Sequence, residues 1–70
     1  MHAAKIIEII CCSTTSFDDA IISGVAEASK TIRGLKAAWV KDQQVCIENN
    51  KIMKYKVILK LTFEVDHNIK

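Results

Sequence analysis

Proline is absent from this 70-residue chain and glycine occurs only twice. There is no low-complexity stretch, no internal repeat and no linker, so the chain reads as one domain, residues 1–70. No apolar run approaches the roughly 20 residues of a membrane-spanning helix. The N-terminal region has one lysine and a short apolar run, Ile6 to Cys12, but no small-residue cleavage pattern. A signal peptide is not expected, and the cytoplasm is the expected location. Charge of one sign is also lacking. Ten basic against eight acidic residues leave a net charge of +2, too little to argue for nucleic acid or an anionic membrane as partner. Cysteines number three, and an odd count argues against a closed disulfide framework. Cys11 and Cys12 are adjacent, where bridging is strained, and His2 and His67 lie near the ends. Buried or half-buried free thiols are the expected role of Cys11, Cys12 and Cys46.

What is present is apolar surface. Half of the residues are hydrophobic, a high share for a chain whose core supplies only a few kcal/mol. The surplus points to subunit contacts.

The stretch from Ser16 to Arg33 predicts a helix. Ser16 is placed to cap, and Asp19 stands at a capping-box spacing from it. Asp18 and Asp19 complement the positive end of the dipole, Lys30 and Arg33 the negative end, and Gly34 stands where a left-handed residue ends a helix. Phe17, Ala20, Ile21, Gly24, Val25, Ala28 and Ile32 recur at three- and four-residue spacing and share one face. The hydroxyl cluster Ser13-Thr14-Thr15-Ser16 precedes the helix. Without a glycine in the loop, capping explains it better than an anion site.

The remaining segments predict strands. Ala4 to Cys12 is β-branched and nearly continuous, as in a strand covered on both faces. Gly34 to Glu48 changes apolar parity between Val40 and Val45, which a one-residue bulge near Asp42-Gln43-Gln44 would restore. Asn49-Asn50 suits a tight hairpin. Ile52 to Val65 carries the cleanest period of two: Tyr55, Val57, Leu59, Leu61, Phe63 and Val65 on one face. At about 3.3 Å per residue this strand exceeds ~40 Å, whereas the helix covers roughly 26 Å. The order is β-α-β-β, an α+β fold with a crossover that puts the first strand beside the third. One helix covers one sheet face. The other face, with Trp39 and Ile58, has nothing in the chain to cover it. The segment from Asp66 to Lys70 is expected to fray.

These residues resemble the dodecins. The resemblance runs over nearly the whole chain, through K-I-I-E-I (Lys5 to Ile9), S-F-D-D-A-I (Ser16 to Ile21), A-S-K-T-I-R (Ala28 to Arg33), Val40, Gln43 and Y-K-V-I-L-K-L-T-F-E-V (Tyr55 to Val65). It implies a three-stranded antiparallel sheet partly wrapped around one helix, assembled as a hollow homododecamer with the sheets as inner wall. It also implies a flavin, riboflavin or FMN, stacked in pockets at the two-fold axes for storage or sequestration. In that family a tryptophan early in the second strand stacks on the ring and a glutamine in the third bonds its polar edge. Those positions fall on Ala37 and Lys56. Trp39, one step of about 6.6 Å along the same face, is a displaced stacking surface or a packing residue. Asp42 matches an acidic position near the flavin side chain or belongs to the bulge. Lys56 faces ligand or pairs with a carboxylate such as Glu64 or Asp42. The alternative is a shell with weak or no flavin affinity, structural or binding another ligand such as coenzyme A or a metal ion. An enzyme is not expected, because no nucleophile–base pair stands out.

Overall fold

A computed structural model of the chain describes residues 2–66. Strand β1 (His2–Ser13) leads into helix α1 (Phe17–Ser29), followed by β2 (Leu35–Glu48) and β3 (Lys51–Asp66). The three strands form one antiparallel sheet in the order β1-β3-β2, with the last strand in the centre. The crossover expected from the sequence is therefore present. Among the described residues no helix is long and apolar enough to cross a membrane.

The helix begins where its caps dictate. Ser16 is extended, and its hydroxyl accepts the Asp19 N–H at 2.9 Å. The reciprocal half of the expected capping box is replaced by a relay. Asp19 accepts the Ser13 hydroxyl at 2.7 Å, while the Ser13 oxygen accepts the N–H groups of Thr15 and Ser16 at 2.9 and 3.3 Å. The hydroxyl cluster thus serves the turn itself. The helix ends earlier than Arg33. Its last residue is Ser29, and Lys30 stays right-handed as the cap. The N–H groups of Thr31 and Ile32 both donate to the Ala28 carbonyl. Gly34 is not the helix stop. It takes φ +76° where the chain enters β2, and its carbonyl accepts the Glu64 N–H at 3.1 Å. A Cβ there would lie 2.8 Å from the Glu64 carbonyl oxygen.

The core lies between α1 and one sheet face. Val57, Leu59 and Leu61 of the central strand are fully buried with Ala20 of the helix. Ile7, Ile9, Phe17, Ile21, Val25, Ala28 and Leu35 pack around them. The helical spacing and the period of two read from the sequence meet here. Burying each of the three large central side chains contributes about 1.5–3 kcal/mol. Gly24 faces Cys11, and a Cβ on Gly24 would collide with the Cys11 sulfur. Burial pushes the Cys11 thiol above the ordinary thiol range, with a smaller push from neighbouring Cys12. Cys12 itself is exposed on the other face, so only Cys11 and Cys46 fit the expectation of covered thiols.

The bulge in β2 restores the apolar parity, but at Lys41 rather than at residues 42–44. Val40 pairs with Leu59 and Asp42 with Ile58, which leaves Lys41 as the extra residue. The Asp42 carboxylate accepts the Gln43 N–H at 2.9 Å beside it. Two further register shifts fall at Lys36 and near Met53. Asn49 and Asn50 close the hairpin with φ of 52° and 63°, the mirror-image turn that matches strand twist. The sheet outreaches the helix, and the molecule measures 59 × 19 × 13 Å.

Candidate functional site

Residues paired directly across antiparallel strands share a face. The register therefore assigns the uncovered face without ambiguity. From β1 come Ala4, Ile6, Glu8, Ile10 and Cys12, and from β3 come Lys56, Ile58, Lys60, Thr62 and Glu64. From β2 come Ala37 opposite Thr62, Trp39 opposite Lys60, Asp42 opposite Ile58 and Gln44 opposite Lys56. All four residues singled out from the sequence, Ala37, Trp39, Asp42 and Lys56, lie on this face. Trp39 sits one step beyond Ala37 and is 64% exposed, as is Ile10, with Ile6 close behind. Exposed Trp39 on β2 and exposed Ile6 and Ile10 on β1 leave an apolar surface that no other element among the described residues covers.

The four do not gather at one point. Ala37 stands in the Thr62 row and Lys56 six residues along β3 from it, about 20 Å at ~3.3 Å per residue. That is farther than a tricyclic ring extends, so Ala37 and Lys56 contact one ring only when they come from different subunits. Lys56 pairs across the sheet with Cys12 and Gln44. The expected partner Glu64 is eight residues away on the same strand, out of reach of a lysine side chain.

Three residues that sequence reasoning left aside shape the face around Trp39. The Lys60 ammonium lies over the Trp39 ring, 5.2 Å from its centroid. Lys41 crosses from β2 over the central strand to Glu8 on β1, with Nζ 3.1 Å from a carboxylate oxygen. Both partners of that pair are about half exposed, and such bridges stabilise by at most ~1 kcal/mol. The bridge nevertheless lays a polar bar across the sheet. Ala37 and Trp39 lie on one side of it, Asp42 and Lys56 on the other. The parity change in the sequence calls for a bulge in this stretch without assigning it to Lys41, and the partner Glu8 was not legible because it is 33 residues away.

An open apolar groove of about 640 Å³ runs between α1 and the free edge of β1, lined by Ile7, Ile9, Ala28 and Ile32 among others. Among the described residues no three His, Cys, Asp or Glu side chains gather as a metal-binding group. His67 lies outside the described residues.

One helix on a three-stranded antiparallel sheet, with an exposed aromatic on the bare face, is the architecture of a small binding protein of the dodecin type. The family follows from comparison: the Dodecin family model matches residues 3–66, and the chain belongs to the dodecin family. Comparison with curated proteins finds no match. Among solved structures, the dodecin of Streptomyces coelicolor superposes with a TM-score of 0.89 at 28% identity, covering 96% of both chains. An arginine-to-alanine variant of T. thermophilus dodecin gives 0.89 at 26% identity, covering 97% of this chain and 100% of that one. The calcium-chelating dodecin of Mycobacterium tuberculosis, described with a novel calcium-binding site, gives 0.80 at 24% identity over 97% of each chain, a likeness of fold. The β-α-β-β architecture is that of the dodecins, a family of small homo-oligomeric binding proteins.

Proposed function

We propose that this protein is a cytoplasmic flavin-sequestering module that works as a homododecamer and carries out no reaction of its own. Riboflavin or FMN would stack where the bare faces of two copies meet. The observation that carries this reading is the exposed Trp39 ring on an uncovered sheet face, one step from Ala37. The residues there fit a planar aromatic ligand. Trp39 offers a π-surface, Ile6 and Ala37 offer flat apolar contact, and Lys56 and Asp42 offer polar groups for a ring edge or a side chain. The flavin supplies a redox-active, light-absorbing ring. The chain's part is to stack that ring, quench its excited state and keep water from it.

The test is a fluorescence titration. Riboflavin or FMN at tens of micromolar loses fluorescence on mixing with the protein if the reading holds. Unchanged fluorescence and a colourless preparation overturn it.

A second reading is supported by Ala37 and Lys56 themselves, which stand where the family's stacking and hydrogen-bonding residues are expected, and by Lys60 lying on Trp39. It is a shell of weak flavin affinity that holds another small ligand, such as coenzyme A or a metal ion. Native mass separates the two: added flavin mass supports the first, a bare twelve-mer or another ligand mass the second.

A further inference from the structure

Glu8, Lys60 and Trp39 form one row across the three strands of the bare face. Lys60, in the middle, has a carboxylate on one side and an indole on the other. It takes the indole, at 5.2 Å from the ring centroid. Glu8 is taken by Lys41, the residue the bulge pushes out of register. Two ammonium groups thus divide one carboxylate and one aromatic face between them. A cation over a ring and a planar ligand stacked on it use the same negatively charged π-face. The face that Lys60 covers is closed to a ligand until the ammonium leaves, and Glu8, its direct cross-strand neighbour, is a carboxylate in the same row.

We propose that Lys60 sets the aromatic-ligand affinity of this face: it competes with the ligand for Trp39 and moves to Glu8 when a ring stacks. The inference rests on the flavin reading and names the residue that limits it. Lys41 keeps Glu8 close to the row through the same bridge. Lys41 reaches both Glu8 oxygens, at 3.1 and 3.4 Å, and each carboxylate oxygen has a second lone pair, so Glu8 can accept from both ammonium groups when Lys60 arrives.

Neutral riboflavin is the probe, because its own charge cannot mimic the loss of a lysine. Lys60→Met keeps length and apolar stem and removes the cation. An exposed cation–π contact corresponds to about a two- to five-fold effect, so riboflavin binds Lys60→Met about two- to five-fold more tightly than wild type. Glu8→Gln removes the negative charge that draws the ammonium across. It weakens riboflavin binding in the wild-type background and has no effect in the Lys60→Met background. Lys51→Met, the same charge change at the hairpin end, leaves affinity unchanged. Without any ligand, acrylamide quenches the single tryptophan more strongly in Lys60→Met than in wild type. Equal riboflavin affinity and equal quenching in wild type and Lys60→Met overturn the proposal while the flavin reading stands. Failure of riboflavin to bind any of the proteins removes both.

Discussion

At the scale of single residues, the bare face makes a sharp demand at position 37. Its side chain is a methyl group where a stacking ring is expected, and the nearest ring is one step along the strand. Placing an indole there, Ala37→Trp, supplies stacking of about 1–3 kcal/mol per ring. We expect a gain in flavin affinity of about five- to 150-fold, read by fluorescence titration, and no gain at all if the polar bar from Lys41 to Glu8 shuts the site. The covered face is equally exacting at Gly24, which lies against the Cys11 sulfur. Gly24→Ala overpacks that contact and should cost about 1–3 kcal/mol, lowering Tm in a thermal melt. Cys11→Ala in the same chain should restore part of the loss. Cys11 also links stability to pH. Its thiol is held neutral by burial, so the unfolded chain releases that proton at lower pH than the folded one. The contribution is present below the ordinary thiol range near pH ~8.5 and is lost as the pH rises beyond it. Denaturation at pH 7 and pH 10 should show a larger loss for wild type than for Cys11→Ala.

At the scale of elements, local chemistry was legible and long-range chemistry was not. The cap at Ser16, the helix face from Phe17 to Ala28, the strict alternation of β3 and the Asn49-Asn50 turn are each encoded within a few residues of one another. The end of the helix was misplaced for a physical reason: Gly34 has the left-handed φ a helix stop uses, but spends it on the close passage beside Glu64. The pattern of apolar residues required a bulge but did not fix its position, because Lys41, Asp42, Gln43 and Gln44 are all polar. The Ser16–Asp19 spacing predicts a reciprocal pair, and the chain forms a relay instead, since Ser13 reaches between the two members. Ser13→Ala removes one donor and one acceptor at the strand–helix junction. It should destabilise by about 1–3 kcal/mol, more than an exposed cap alone. Chemical denaturation of Ser13→Ala beside Thr14→Ala, an exposed neighbour in the same turn, checks this. At the hairpin, Asn50→Val forces a β-branched side chain into positive φ and should cost about 1–2 kcal/mol.

At the scale of the molecule, a sheet with one covered face and one bare face is half of something larger. The candidate site residues share that bare face, yet Ala37 and Lys56 are too far apart to meet on one ring. Completion by a second copy is therefore part of the proposed site. Native mass or sedimentation should give twelve times 7.8 kDa, about 94 kDa; a folded 7.8 kDa monomer would contradict the proposed assembly. The position of β3 has a consequence for how the fold is reached. The strand in the middle of the sheet is the last of the elements along the chain, and β1 joins it across 42 to 64 residues of separation. The hairpin of β2 and β3 closes locally and early, while the loop back to β1 is long and slow to shut. During that delay the free side of β3 offers the same hydrogen-bonding edge to any β1 nearby, its own or a neighbour's. Refolding at high protein concentration should therefore yield copies that have traded their first strands, a covalently seamless exchange that dilute refolding avoids.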